Sequence, residues 1–170
     1  MANDCFNELT MIGIKRDIDN LELIFGQKNP LDYLMPFPTE LFDMVEDSEK
    51  DEPDSGLPKW RIWVEYNWGT KYFLLEGTER KEKNNLEVKF ITAWRPPKEM
   101  LYLLGRMFCD VKFILEFREP LMEFKGRLVV DKGEIVENKT EEWNWQEEQP
   151  IGSEQQQEAR NEDFLPDGAD

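Results

Sequence analysis

Apolar and polar residues alternate along several short stretches of this chain, which is the pattern of half-buried strands. The clearest stretch is residues 86–97, LEVKFITAWRPP, where Leu86, Val88 and Phe90 alternate with charged residues. Two consecutive prolines then end the strand, because proline has no backbone N–H to donate to a neighbouring strand. A helical spacing of apolar residues begins directly afterwards, over residues 98–108. The pattern therefore predicts a strand that leads into a helix through a proline corner.

The same two periodicities predict the other elements. The predicted strands are residues 8–14, 72–77, 86–94, 111–118, 121–130 and 134–137. The predicted helices are residues 15–27, 39–45, 59–68 and 98–108. Residues 78–85 are polar and predict a hairpin loop, whereas Asp131-Lys132-Gly133 predicts a tight turn between two strands.

Without the inserted helices, the order of elements is βαββαβ, which predicts the ferredoxin-like α+β fold. This fold is an antiparallel sheet with its two main helices on one face, and here it carries inserted helices and an added C-terminal hairpin. The other face is left open or is covered by insertions, and such a face often binds ligands or partners. We predict this domain over residues 1–138, with an acidic insertion at 46–58, followed by an acidic tail over 139–170.

The net charge of −16 is confined to two segments of the chain. Residues 40–54 hold eight acidic residues and one lysine, a net charge of −7. Residues 131–170 hold thirteen acidic and three basic residues, a net charge of −10, and the remaining residues sum to +1. This distribution argues against direct binding of nucleic acid and favours a basic protein as partner.

The composition excludes several kinds of site. The chain has no histidine, which removes histidine-assisted nucleophiles, histidine-ligated zinc and the usual general base near neutral pH. Its two cysteines, Cys5 and Cys109, are too few for a thiolate zinc site. We expect them to be reduced thiols of a protein in the cytoplasm of a host cell, with a disulfide as the alternative. We expect no metal, no cofactor, no membrane span and no secretion signal.

Four short blocks carry a resemblance to a known family. They are ANDCFNEL (residues 2–9), NWGTKY (67–72), TAWRPP (92–97) and EPLMEFKGRL (119–128). The blocks resemble the signatures AN-[WD]-C-x-N-x-L, WGTKW, TAWSPP and Glu-Pro-x-x-x-Phe-x-Gly of the YubB-type ferredoxin-like proteins, which are small accessory products of plasmids, phages and other mobile elements. The resemblance implies a ferredoxin-like fold and no established activity. The sequence departs at Asp4, Tyr72 and Arg95, where the family has Trp, Trp and Ser, which puts a functional role of these positions in doubt.

Two explanations fit the residues of these blocks. The structural explanation assigns the glycine to a turn, the prolines to a corner and the tryptophans to the core. The functional explanation is a small-ligand or nucleotide-binding accessory module, with a face that holds a phosphate or carboxylate. The residues of that alternative ligand face are Trp68, Lys71, Thr92, Trp94 and Arg95.

The charge distribution, together with the occurrence of the resembling family on mobile elements, predicts a non-enzymatic protein of a phage or plasmid. We expect it to act as a DNA mimic and anti-CRISPR protein, in which carboxylates occupy the basic nucleic-acid-binding surface of a host defence nuclease such as a CRISPR effector. The predicted partner-binding residues are Glu46, Asp47, Glu49, Asp51, Glu52, Asp54, Glu141, Glu142, Trp143, Trp145, Glu147 and Glu148.

Two further interpretations stay open. The acidic segments can serve only to keep the protein soluble. Alternatively, paired carboxylates can hold a divalent ion for nuclease chemistry. The acidic residues of the predicted strands do not form a pattern that supports this chemistry, so the prediction is that the protein is not an enzyme.

Overall fold

The structure is a computed structural model, and it describes residues 3–41 and 58–144 of the chain. The strands are β1 (Asp4–Ile12), β2 (Phe73–Glu82), β3 (Asn85–Ala93), β4 (Lys112–Glu119), β5 (Phe124–Asp131) and β6 (Glu134–Glu142). The helices are α1 (Lys15–Phe25), α2 (Pro30–Leu34), α3 (Lys59–Asn67) and α4 (Lys98–Met107), with a 3₁₀ turn at Thr39–Leu41.

The six strands form one antiparallel sheet in the order β2-β3-β1-β4-β5-β6. The first four strands of this order, together with α1 and α4, are the ferredoxin-like βαββαβ unit, and β5 and β6 add a hairpin beside β4. The predicted fold class is therefore confirmed. The strand β1 lies between β3 and β4, in the centre of the sheet.

The sheet has two chemically different faces. The face beneath α1 and α4 supplies the hydrophobic core, because every second residue of the central strands points to it and is buried. The main core residues of the strands are Leu9, Met11, Leu86, Val88, Phe90, Phe113, Leu115, Phe117, Leu128 and Val130. The opposite face, here called the open face, carries the alternate residues, most of which are polar, charged or partly exposed.

The two main helices form because their apolar residues recur at helical spacing and are buried against the sheet. The residues that α1 and α4 bury are Ile18, Leu21, Ile24, Phe25, Met100, Leu101 and Leu104. Gly26 ends α1, where its N–H donates to the carbonyl oxygen of Glu22 at 3.0 Å and the N–H of Gln27 donates to the carbonyl oxygen of Ile24 at 3.1 Å. The predicted apolar stripe of α4 also included Met107, which is 52% exposed in the structure because it lies at the end of the helix.

The predicted turn between β5 and β6 is confirmed. Lys132 and Gly133 have φ angles of +53° and +76°. Two successive residues with positive φ form a type I′ turn, whose twist matches that of the strands it joins. Glycine adopts this conformation without strain, which explains the Lys-Gly sequence after Asp131.

The prediction that residues 78–85 form a loop is wrong. The strand β2 continues to Glu82 and β3 begins at Asn85, so that a short turn joins them. A polar sequence forms an edge strand here because one side meets solvent. On the other side, the guanidinium of Arg80 lies 3.0 Å from the carboxylate of Asp19 and 2.9 Å from that of Glu22, both on α1.

Other bounds also differ from the prediction. The strand β1 begins at Asp4 instead of residue 8, and β6 continues to Glu142, past the predicted domain boundary at 138. The sequence pattern missed α2, in which Pro30 occupies the first turn and the side chain of Asn29 accepts from the N–H of Asp32. The predicted helix over 39–45 is a 3₁₀ turn at Thr39–Leu41. Its remainder, and the acidic insertion up to residue 57, lie outside the described residues.

Candidate functional site

The two blocks NWGTKY and TAWRPP meet where β3 ends and turns into α4, and we call this region the motif corner (residues 67–72 and 92–97). The hydroxyl of Thr70 accepts from the N–H of Ala93 at 3.0 Å and donates to the carbonyl oxygen of Tyr72 at 2.9 Å. Thr70 is 1% exposed. Gly69 has a φ angle of +78°, and a Cβ atom there would lie 2.1 Å from the carboxylate of Glu99. The glycine and the threonine therefore make the turn and attach it to β3.

The first block of the chain is joined to the motif corner from the other side. The N–H of Trp94 donates to the carbonyl oxygen of Asn3 at 2.8 Å. In the buried layer, the side-chain amide of Asn7 donates to the hydroxyl of Thr92 at 2.9 Å, and that hydroxyl donates to the carbonyl oxygen of Arg95 at 2.8 Å. The ends of β1 and β3 are thus joined by these hydrogen bonds in addition to the backbone hydrogen bonds of the strand pair.

The fourth block closes the neighbouring end of β4. Glu119 is fully buried, and its carboxylate accepts from the N–H groups of Leu121 and Met122 in the turn that follows.

Burial raises the pKa of the nearby Cys5 thiol to about 12, although a hydrogen bond with Thr92 lowers it in part. At neutral pH this thiol is protonated and has little nucleophilic reactivity.

The cysteines are both free thiols. Cys5 is buried beneath the motif corner and Cys109 is exposed after α4. The structure does not join the two cysteines in a disulfide, and their redox state in the cell stays a prediction. Because Cys109 is exposed and Cys5 is shielded, a thiol reagent can distinguish the two positions.

Four of the five residues of the predicted ligand face contact other parts of the same protein. The indole Nε1 of Trp68 donates to the carbonyl oxygen of Met35 at 3.0 Å. The guanidinium carbon of Arg61 lies 5.1 Å from the centre of the Trp94 ring. Arg95 donates from Nε to the carbonyl oxygen of Gly69 at 3.2 Å. Thr92 is fully buried, as described above, and Lys71 is exposed.

The two cavities described beside Arg95 do not bring these five residues together. Arg95 lines two shallow cavities, and neither of them is also lined by Trp68, Lys71, Thr92 or Trp94. The two sequence blocks lie close together, as the ligand face requires. Their polar groups, however, form hydrogen bonds with each other. The ligand function of this face stays a prediction.

Three of the predicted partner-binding residues lie in the described part of the chain. Glu141 and Glu142 are exposed at the end of β6, and neither forms an ion pair with another described residue. Trp143 is partly buried, and its backbone N–H donates to the carbonyl oxygen of Glu123 at 2.6 Å. The other predicted residues lie outside the described residues, namely Glu46, Asp47, Glu49, Asp51, Glu52, Asp54, Trp145, Glu147 and Glu148.

The open face presents its side chains in rows that run across the strands. The row beside Trp143 consists of Leu74, Ile91, Phe6, Arg118, Lys125 and Glu141. The next row consists of Gly77, Lys89, Glu8, Glu116, Arg127 and Lys139. The sequence pattern predicted an open face, but not which residues would be neighbours on it, because that depends on the register of five strand pairs.

Most charges of the second row form ion pairs, either within the row or with Glu137 on β6. Lys89 lies 3.6 Å from Glu8, and Arg127 lies 3.6 Å from Glu116 and 2.5 Å from Glu137. The first row differs, because Arg118 forms no ion pair with a described residue. Its guanidinium carbon lies 5.9 Å from the centre of the Phe6 ring instead.

A shallow cavity of about 460 Å³ lies over these two rows. Its lining combines the aromatic rings of Phe6 and Trp143 with the cations Arg118 and Lys125. The indole Nε1 of Trp143 is buried and has no hydrogen-bond partner among the described residues. This end of the open face therefore combines aromatic surface, two cationic side chains and the buried indole N–H of Trp143.

The described residues 3–41 and 58–144 contain no group of three or more His, Cys, Asp or Glu that could hold a metal ion. The same part of the chain contains no helix that is long and apolar enough to cross a membrane.

The topology of the sheet and helices defines a ferredoxin-like α+β domain. The family model described as the ferredoxin-like domain in Api92-like protein matches residues 72–164, which is more than half of the chain. The chain therefore belongs to this family. Among solved structures, it is similar to the crystal structure of the protein Api92 from Yersinia pseudotuberculosis, with a TM-score of 0.54 and 12% sequence identity over 85% of this chain and 99% of that chain. At this identity the likeness shows the fold alone. No curated protein matches the chain.

Proposed function

We propose that this protein is a non-enzymatic inhibitor, carried by a phage or plasmid, that binds a basic host defence protein through its acidic segments. The resemblance to YubB-type proteins supports an origin in a mobile element and a place of action in the host cytoplasm. The proposed partner is a nucleic-acid-binding nuclease such as a CRISPR effector. Carboxylates then take the places of phosphates on the surface of that nuclease, as in other DNA mimics.

The distribution of charge carries this proposal. The described residues have a net charge of −3, whereas residues 42–57 and 145–170 together have a net charge of −13. Charge that serves solubility alone needs no such separation, because dispersed surface charges keep a domain soluble equally well. A concentration of one sign of charge steers association with a surface of the opposite sign and weakens contacts with nucleic acid.

The position of β6 adds a second argument. It is an edge strand, and Glu141 and Glu142 stand exposed at its end, immediately before the second acidic segment. The rigid sheet therefore presents the beginning of that segment at a defined place. A fixed starting point lowers the entropy that the segment loses when it binds a partner.

A competition assay tests the proposal directly. The probe is a guide-loaded CRISPR effector nuclease, and the measured quantity is its affinity for a fluorescent target DNA in the presence of the full-length protein. We expect the protein to weaken DNA binding at low salt, and we expect the effect to decrease as salt rises, because added salt screens the charges. Two neutralised variants, Glu to Gln and Asp to Asn, should lose the effect. One changes Glu46, Asp47, Glu49, Asp51, Glu52 and Asp54, and the other changes Glu141, Glu142, Glu147 and Glu148.

A matched control removes four charges from the opposite edge of the sheet. It changes Glu76, Glu79, Glu82 and Glu87 to Gln, all of which lie on β2 or β3. This variant has the same net charge as the second neutralised variant and should inhibit as well as the unmodified protein. Equal loss in both four-site variants would mean that net charge alone acts. Unchanged DNA binding by every basic nuclease tried at low salt would contradict the proposal.

A further inference from the structure

The sheet has two edge strands, β2 and β6, and their backbones are not equally suited to pairing with a further strand. Proteins commonly protect a sheet edge with bulges, prolines, very short strands or a covering element. In β2, the pairing with β3 shifts register between Leu75 and Gly77 and again between Arg80 and Glu82. Because such irregularities bend and twist a strand, β2 is a poor template for an added strand.

The other edge strand, β6, has a more regular and accessible backbone. It is nine residues long, contains neither proline nor glycine, and pairs with β5 without a register shift from Glu137 to Glu142. Eight of its nine residues are exposed, and no strand within residues 3–41 and 58–144 pairs with its outer side. A long exposed edge of this kind is a template for strand addition.

The side chains of β6 define the chemistry of a strand that fits beside it. Near its start, Ile135 and Val136 are 52% and 59% exposed. Near its end, Glu141 and Glu142 are exposed and lie on opposite faces of the sheet, because successive residues of a strand alternate in direction. An added strand therefore meets apolar surface at one end of β6 and negative charge on both faces at the other end.

Charge also decides between a second copy of this chain and a different partner. The strand β6 contains four glutamates and one lysine, a net charge of −3. Two copies of β6 placed edge to edge would repel each other, since like charges on neighbouring strands are destabilising. A basic strand is attracted instead, so charge complementarity favours a basic partner.

We propose that β6 binds an extended basic segment of a partner protein as a seventh, antiparallel strand of the sheet. Backbone hydrogen bonds supply the affinity of such strand addition, and the neighbouring side chains supply its specificity. Two adjacent basic residues of the segment face Glu142 and Glu141, and after four intervening residues two apolar residues face Val136 and Ile135. This inference rests on the proposed function and deepens it, because it names the kind of segment in the basic partner and the edge that binds it.

The outward backbone N–H groups of β6 are the direct readout. In an antiparallel sheet, successive residues direct their N–H groups alternately to one neighbouring strand and to the other. From Glu137 to Glu142, every second amide therefore faces away from β5, and we call these amides the outward set. In the protein alone, the outward set should exchange rapidly with solvent, whereas the amides bonded to β5 exchange slowly.

A synthetic peptide with the sequence KKTTTTVV and blocked ends is the probe. Its two lysines, four residues of high strand propensity and two valines match the order required opposite β6. It is added at low salt to the isotope-labelled full-length protein, and amide exchange is followed by NMR. At saturation we expect the outward set to exchange at least about tenfold more slowly, because a paired amide exchanges only when the pairing opens. Binding through charge alone would leave these amides unprotected.

Charge reversal tests the orientation of the peptide. The variant with Glu141→Lys and Glu142→Lys should bind KKTTTTVV at least about fivefold more weakly, because two exposed ion pairs become repulsions. The same variant should protect its outward set with EETTTTVV, a result that a misfolded variant would not give. The matched control carries Glu76→Lys and Glu82→Lys on β2, has the same net charge, and should bind KKTTTTVV like the unmodified protein.

Three results would overturn the inference: no slowing of the outward set by KKTTTTVV, equal slowing by EETTTTVV in the unmodified protein, or equal weakening in the two variants. Its failure is distinguishable from that of the proposed function. Protection of the outward set by the peptide, with unchanged DNA binding by every nuclease tried, would support the inference and contradict the proposed function. Inhibition of a nuclease whose binding leaves the outward set unprotected would overturn the inference alone.

Discussion

The hydroxyl of Thr70 joins the two blocks of the motif corner, and its removal is a direct test of the structural explanation of these blocks. Thr70→Val keeps the shape of the side chain but removes both hydrogen bonds, from the N–H of Ala93 and to the carbonyl oxygen of Tyr72. The site is 1% exposed, so that water cannot replace the lost partner. The change therefore leaves the N–H of Ala93 buried without an acceptor.

The expected loss of stability follows from these two bonds. A buried polar group without a partner destabilises a protein by roughly 1–3 kcal/mol, and a net hydrogen bond contributes about 1 kcal/mol. Allowing for partial rearrangement of the carbonyl of Tyr72, we expect the free energy of unfolding of Thr70→Val to fall by roughly 2–4 kcal/mol. For a chain of this length, the melting temperature should fall by about 2–4 °C for each kcal/mol.

Urea unfolding followed by tryptophan fluorescence measures this loss. The midpoint should decrease while the dependence of the free energy on urea stays the same, because the surface exposed on unfolding does not change. Thr78→Val is the matched control, since Thr78 is exposed on β2. A loss below about 0.5 kcal/mol in Thr70→Val, or an equal loss in both variants, would contradict the role assigned to the hydroxyl.

Two further predictions concern packing and pH. Gly126→Ala should destabilise the protein by about 1–3 kcal/mol or more in urea unfolding, because its Cβ would lie 2.3 Å from the carbonyl oxygen of Lys139 and 2.4 Å from the Phe117 ring. Gly77→Ala, whose Cβ would meet nothing within 4 Å, is the control, and equal losses in the two variants would refute the packing argument. The pKa of Cys5 is raised by burial from 9.0 to about 12, so the unfolded thiol loses its proton at a lower pH than the folded one. The free energy of unfolding should therefore fall as pH rises from 9 towards 12, by roughly 1 kcal/mol at pH 10, and a parallel titration of Cys5→Ala should lack this component. Identical pH dependence of the two proteins would refute it.

The fold was predictable because its main signals are local. The alternation in β1, β3 and β4 and the helical spacing in α1 and α4 each depend on a few neighbouring residues. The glycine of the turn at residues 131–133 is also a local signal, because a type I′ turn requires positive φ angles. The polar residues of β2 gave no such signal, because their strand is stabilised by pairing with β3 and by Arg80, which contacts α1 from a distance in sequence. Tertiary contacts therefore decided the elements that the pattern missed.

The candidate sites were less predictable for the same reason. The sequence blocks around Thr70 and Thr92 could be recognised, but the partner of each hydroxyl is distant in sequence, namely Ala93 for Thr70 and Asn7 for Thr92. The juxtaposition of Arg118 with Lys125 and Phe6 depends on two strand pairs at once. These residues stand in unremarkable stretches of sequence, and only the sheet makes them neighbours.

The central position of β1 has a consequence for how the chain folds. Asp4 pairs with Ala93, and Phe6 pairs with Arg118, so β1 finds its second neighbour only after β4, roughly 100 residues later, has been synthesised. Until then, β1 exposes at least one edge and an apolar side. Proteins with such distant pairings fold slowly and pass through states prone to aggregation. We expect nascent chains that end before β4 to be insoluble or bound to chaperones. Once β4 has left the ribosome, it can pair with β1 and cover the exposed edge of that strand.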